Sequence, residues 1–431
     1  MHFDIEFCDK NSERKMLASR VKEIINQLKG RIFPECVDAG EFLFRDGQYT
    51  LAEINEGEWK SFGKDEFWGY KEEYCWFKQT VTIPDSFAGK KVIYQINPYP
   101  DSRWESRAQQ FIVFVNGKLV QGADPYHQYI ILSDDAKAGE KYDIALNAYC
   151  DDWEFAGKTR LTSSLKTVDE DVKDLYYDLL SPWETAHNYS HDDTARIDII
   201  KSLNTAVNML ELNTIDDAVF HDSVRKAREY LKENIYGADM GVVTSAIGHT
   251  HIDTAWLWRL RQTREKAARS FSSVVNLMKE YPEYKFMSSQ AQIYDFVKQD
   301  YPELYEEIKE LVREKRWEPE GSMWVESDTN VVSGESLVRQ FLVGKRFFKN
   351  EFGVDNRIMW LPDVFGYSGA LPQIIRKSDI DYFMTTKISW NEFDKFPFDT
   401  FMWRGIDGTE VLSHFIPTQS CDDKGFMTTY N

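Results

Sequence analysis

The run Gly248-His249-Thr250-His251-Ile252-Asp253 sets two imidazoles and a carboxylate at alternate positions. It closes an apolar stretch with Val242, Val243, Ala246 and Ile247, which predicts the mouth of a buried β-strand. Alternate side chains of a strand share a face, so His249, His251 and Asp253 are expected to point one way. Imidazole and carboxylate ligands gathered at a strand end suit a borderline-soft divalent cation such as zinc. Polar loop residues satisfied by the backbone would leave the same pattern. Two further polar clusters stand at predicted strand ends, Glu318–Asp328 and Trp360–Ser368. In the second, Asp363 ends an apolar strand, where a carboxylate serves catalysis, caps the next helix or forms a turn.

Elements able to position these residues follow from the hydrophobic period. From about residue 241, strands and helices alternate. Strands are expected at 242–248, 285–289, 357–361 and 382–386, and helices near 256–280, 293–316, after Gly334 and from about 371. Phe401–Trp403 and Glu410–Phe415 read as a hairpin turned at Asp407-Gly408. This order implies a mostly parallel sheet or a distorted, barrel-like α/β catalytic domain over 241–431, with ligands beyond the carboxyl ends of its strands. Ahead of it lie a helix and extended segment (1–69), a β-sandwich (70–165) and a helical connector (166–240). The chain is thus read as multidomain. Asn116-Gly117 marks a tight hairpin in the sandwich, read as bracing its neighbour because no clustered site residues stand out there. His187, His191 and His221 fall in the connector without ligand spacing and are read as structural or solvated.

The 431 residues carry 52 basic and 71 acidic side chains, a net charge of −19, which argues against a nucleic-acid partner. Five scattered cysteines, with no CxxC pair, suit a reducing compartment. No segment reaches the ~20 apolar residues of a membrane span, and the first ten residues lack the apolar core of a signal peptide. A soluble, cytoplasmic protein with no membrane partner is expected, and a homo-oligomer is compatible with the sequence.

Taken together, the first and third clusters resemble the α-mannosidases of glycoside hydrolase family 38, closest the cytosolic and bacterial branch. The family's metal motif, His-x-His-x-Asp followed by Trp, is matched by His249, His251, Asp253 and Trp256. Its nucleophile motif, Trp-x-x-Asp-x-Phe-Gly, is matched by Trp360, Asp363, Phe365 and Gly366. The run Trp317–Asp328 and Gly405-Ile406-Asp407-Gly408 are similar to the same branch, and the likeness extends over most of the chain.

The resemblance implies a retaining, metal-dependent α-mannosidase that removes terminal α-linked mannose from oligosaccharides. His251 and Asp253 would bind one divalent metal, zinc or alternatively cobalt. Asp363 would be both metal ligand and nucleophile, and Trp256 and Phe365 would line the mannose pocket. His249 would support the site without ligating. Glu326 and Asp328 are read as structural or as outer supports of the site, with no defined role, and Lys387 is set down as a group that could hold a sugar hydroxyl or the carboxylate. His414, outside any matching motif, is not assigned. Family members are longer, and the resemblance places their general acid and a further metal-binding His beyond residue 431. The chain is therefore expected to be the N-terminal portion of such an enzyme, with little or no activity alone. A polysaccharide-deacetylase-like metal hydrolase and a non-catalytic mannoside-binding fragment are the competing readings.

Overall fold

The computed structural model describes residues 10–70, 72–99, 109–124, 127–150, 159–190, 193–237, 243–390, 396–416, 419–421 and 427–429. His191 and Val242 lie outside the described residues.

The sandwich contains β1 (Cys36–Asp38), β2 (Phe42–Asp46), β3 (Lys60–Phe62), β4 (Glu73–Thr82), β5 (Val92–Tyr99), β6 (Gln109–Val115), β7 (Lys118–Ala123), β8 (Tyr129–Ser133), β9 (Lys141–Cys150) and β10 (Arg160–Thr167). Its first three strands lie within the segment expected to be a helix and extended chain. The sheets are ordered β1-β10-β5-β8 and β3-β2-β4-β9-β6-β7. β4 and β9 pair antiparallel from Glu73↔Cys150 to Thr82↔Lys141. The alternation is direct: Cys75, Phe77 and Val81 of β4 and Ile144, Leu146 and Ala148 of β9 face the inter-sheet core. The opposite face is buried too. Trp76, Ile112, Phe114 and Ala145 close over Ile54 and over Ala268, a residue of the later α/β segment. Asn116 and Gly117 both take positive φ between β6 and β7, as the expected hairpin requires.

The connector helices α2 (Glu170–His187), α3 (Thr194–Asn208) and α4 (Asp217–Leu231) pack with α1 (Lys10–Lys29) from the start of the chain. Val21, Ile25, Leu175, Leu179, Leu203 and Val224 form their shared core. Asp169, Asp193 and Asp216 cap the three later helices through side-chain carboxylates.

The remaining segment contains β11 (Gly248–His249), α5 (Leu260–Glu280), β12 (Phe286–Ser288), α6 (Ala291–Asp300), α7 (Pro302–Arg313), β13 (Trp317–Pro319), α8 (Gly334–Phe352), β14 (Ile358–Trp360), α9 (Leu371–Lys377), β15 (Tyr382–Thr385), β16 (Thr400–Arg404) and β17 (Glu410–Phe415). β11, β12 and β13 are parallel neighbours; so are β14, β15 and β17, with β16 antiparallel on the outer edge. Side chains stitch β13 to β14: Asn356 donates to the Pro319 carbonyl at 2.8 Å, and Ser322 Oγ to the Ile358 carbonyl at 2.7 Å.

Two expectations are corrected. The helix over 293–316 is two helices, because Pro302 cannot continue α6 and instead opens α7. The strand over 242–248 is reduced to Gly248-His249. Val243 is 95% exposed and Ile247 is also exposed, so among the described residues the apolar run lacks the packing that would hold it in a sheet.

Candidate metal centre and sugar pocket

Three loops deliver the polar groups. The first leaves β11 and carries His251 and Asp253 toward α5. His251 Nε2 stands 3.3 Å from Asp253 Oδ1 and 3.7 Å from Asp363 Oδ2. One ligand atom from each of these residues fits within a mutual span of 4.8 Å, so the trio can hold a metal ion. More than a hundred residues separate Asp253 from Asp363, so the fold supplies this convergence.

Asp363 sits on the turn after β14, and that turn is tied down on several sides. Tyr367 OH donates to the Val364 carbonyl at 2.8 Å, Thr386 Oγ1 to the Pro362 carbonyl at 2.5 Å, and the Leu361 N–H to the Met384 carbonyl at 3.0 Å. Gly366 closes the turn at φ +109°, and a Cβ there would lie 2.9 Å from Asn330 Nδ2. Only glycine meets both demands without strain.

Charge around the trio is unevenly held. Lys387 Nζ lies 2.6 Å from Asp363 Oδ1 and 4.9 Å from the centre of the Phe365 ring. The carboxylate is thus one of the two partners expected for this lysine. On the other side of His251, Nδ1 lies 2.7 Å from Glu326 Oε2, whose side chain is only 3% exposed. Ser289 Oγ donates to the other oxygen of Glu326. Burial opposes charge on His251. The contact with Glu326, then Asp253 and Asp363, outweighs it and lifts the imidazole pKa to about 9 in the metal-free protein.

Gln290 frames both loops. Its Nε2 donates to the Ile252 carbonyl at 2.8 Å, and its Oε1 accepts from Thr254 Oγ1 at 3.1 Å and from the Glu326 N–H at 3.2 Å. It is buried and holds φ +67°, a conformation non-glycine residues seldom adopt.

His251, Asp253 and Asp363 therefore come together as their spacing and motifs suggest. His249 does not join them. With the strand ending at that residue, alternation no longer governs the face, and its ring lies 5.2 Å from that of Trp360. Although the residue as a whole is exposed, the crowding of its ring and then the charge on His251 lower its pKa. Trp256 stands in the loop after Asp253, 57% exposed, with its ring against Trp258. Phe365, 72% exposed, reaches the trio through Lys387. Asp328 caps a local turn, accepting from the Asn330 and Val331 N–H groups. His414 pairs with Thr400 across the β16–β17 hairpin, a structural contact. Sequence reasoning left Glu326 as a structural or supporting group with no defined role and passed over Ser289 and Gln290. Their burial beside the trio is a long-range fact with no local signal.

Residues 242–431 match the family described as glycosyl hydrolases family 38 N-terminal domain, and residues 41–179 match that described as alpha-mannosidase, jelly roll domain. A segment matching a glycosyl hydrolase domain thus follows one matching a jelly roll, in a chain similar to glycosyl hydrolases of family 38. It is 34% identical to Alpha-mannosidase G of Dictyostelium discoideum over 383 residues, covering 84% of this chain and 34% of that relative. It is 35% identical to Alpha-mannosidase 2C1 of Homo sapiens over 370 residues, 81% and 34% of the two chains. It is 40% identical to Alpha-mannosidase of Saccharomyces cerevisiae over 263 residues, 58% and 24% of the two chains. The chain thus spans about a third or less of the length of these relatives. Among the described residues, no helix is long and apolar enough to cross a membrane.

Proposed function

We propose that this chain carries the metal and nucleophile half of a retaining α-mannosidase that acts on terminal α-linked mannose. The observation that supports the reading most is the convergence of His251, Asp253 and Asp363 from distant loops. One imidazole nitrogen and two carboxylates suit zinc, with cobalt as the alternative. A bound divalent cation would supply a Lewis acid for the sugar's hydroxyl oxygens.

The chain's own residues then divide the work. An Asp363 oxygen attacks the anomeric carbon as the bond to the leaving oxygen breaks, giving a glycosyl ester that water later hydrolyses. Lys387 holds the other oxygen of Asp363 and so fixes the direction of attack. The exposed faces of Trp256 and Phe365 offer apolar surface to the mannose ring. The leaving oxygen must receive a proton from a second carboxyl roughly 5 Å from the nucleophile; no described residue is assigned that part. The short parallel strands on either side of the β13–β14 seam suit a distorted barrel whose strand ends hold the site. Buried Cys75, which forms no disulfide among the described residues, supports a cytoplasmic setting and with it the cytosolic branch of the family.

Zinc titration of the metal-stripped full chain tests the reading. One equivalent should bind and be lost in Asp363→Asn; no binding by the unaltered chain refutes it. Mannose released from an aryl α-mannoside supports hydrolysis. Acetate released from an acetylated glycan would favour the deacetylase alternative, and metal-dependent mannoside binding without release a binding module.

A further inference from the structure

We infer that Glu326 is a positioning residue: it holds His251 in the one tautomer and ring orientation that presents Nε2 to Asp253 and Asp363. This rests on the metal reading proposed above.

A neutral imidazole carries one proton and one lone pair, and the partner of one nitrogen decides which is which. Nδ1 of His251 meets a carboxylate oxygen of Glu326 at 2.7 Å. A carboxylate accepts only, so the proton belongs on Nδ1. The lone pair is then left on Nε2, the nitrogen nearest Asp253 and Asp363. Both atoms of the contact are buried, and neither makes an aligned hydrogen bond among the described residues; their 2.7 Å approach is the closest polar contact either has there.

Glu326 is itself held at two points. Ser289 Oγ donates to its free oxygen, and its backbone N–H donates to Gln290 Oε1. Gln290 also binds the backbone of Ile252, between His251 and Asp253. The frame therefore fixes the carboxylate and the histidine loop relative to each other. The positive φ at Gln290 marks a local cost that this geometry accepts. The hydroxyl of Ser289 reaches one carboxylate oxygen, and the imidazole of His251 stands opposite the other.

The experiment uses the full chain stripped of metal, with zinc affinity read by competition against a chromophoric chelator. Glu326→Ala should weaken zinc about 10–100-fold, the usual cost of losing a ligand's outer partner, with one equivalent still bound. Glu326→Gln keeps an acceptor oxygen and should recover most of the loss. A second readout separates positioning from mere packing. In zinc-loaded, ¹⁵N-histidine-labelled protein, a slowly exchanging Nδ1–H signal that disappears in His251→Gln should be present in the unaltered chain, kept in Glu326→Gln and lost in Glu326→Ala. Unchanged zinc affinity in Glu326→Ala overturns the inference and leaves the metal reading standing. Should Glu326→Ala fail to fold, absence of that signal from the unaltered zinc-bound chain overturns it instead. Failure of the unaltered chain to bind zinc removes the metal reading and this inference with it.

Discussion

The jelly roll and the α/β segment use their strands for opposite ends. In the jelly roll, β4 and β9 pair over ten residues, and most of their inward side chains sit in an apolar core that includes Phe77. In the α/β segment, β11 has two residues and β12, β13 and β14 have three each. Helices cover these short strands, and polar chain begins where each one stops. Long strands build stability through apolar burial. Short strands bring loop residues from distant parts of the sequence to one point, where a surplus of carboxylates is tolerated because a function can use it.

That contrast predicts a clean separation of effects. Phe77 is fully buried and rings from Phe42, Phe44, Phe62 and Trp68 surround it. Phe77→Ala should cost about 3–5 kcal/mol of unfolding free energy, read by urea denaturation, and leave zinc affinity unchanged in the protein that remains folded. A matching loss of zinc affinity would show that the two regions do not act separately.

The reverse holds at the site. Asp363→Asn should lower zinc affinity beyond the ~10–100-fold expected for an outer partner. It should shift stability by about 1 kcal/mol or less, because the Asp363 side chain is more than a third exposed. Chelator competition and a denaturation curve on the same sample check both halves. A large stability loss with zinc binding intact would make Asp363 a structural residue.

The boundary between the two regions joins the apolar cluster around Ala268 to a set of polar contacts. The N–H of Gly122 on β7 donates to Ser273 Oγ of α5 at 3.2 Å, and Asn276 donates to Gln121 Oε1 at 2.6 Å. A Cβ at Gly122 would lie 2.6 Å from the Arg269 Cβ and 3.0 Å from its Cα. Gly122→Ala should therefore cost about 1–3 kcal/mol by overpacking, and split a single unfolding transition into two as the regions separate. A variant as stable as the parent would mean that α5 shifts freely against the jelly roll.

Legibility in the sequence follows the same division. The Asn116-Gly117 hairpin and the connector's apolar stripes could be read because each is a local pattern with a local cause. Pro302 was equally local, and a smooth helical period over 293–316 hid the break it makes. The apolar run at 243–247 misled for another reason: period describes what a segment could bury, and here nothing in the described fold covers it. The metal trio was found through motif resemblance, since spacing alone cannot bring residue 363 to residue 251. Glu326 and Gln290 were illegible because their roles lie wholly in contacts across 75 and 38 residues of chain.

The smallest expected effect lies far from the site, in the connector, and tests whether charge there is structural as the jelly roll's core is. His221 of α4 meets acceptors at both ring nitrogens: the Asp217 carbonyl 2.9 Å from Nδ1 and Asp169 Oδ2 2.8 Å from Nε2. Asp169 is also the N-cap of α2, so the contact joins two helices. A neutral ring would set a lone pair against one acceptor, whereas imidazolium satisfies both. Burial works against that charge, but the Asp217 carbonyl and the Asp169 and Asp217 carboxylates outweigh it, and the pKa rises above the ordinary 6.5. With a folded pKa above the unfolded one, the stabilisation is complete below about 6.5 and fades as pH climbs through the folded value. Comparing urea midpoints of the parent and His221→Gln isolates this residue from other titrations. The parent's advantage should be on the order of 1 kcal/mol or less at pH 6 and shrink by pH 8. An advantage that stays level across that window would mean that His221 is held as a neutral hydrogen-bonding ring, with its second acceptor served by something other than its proton.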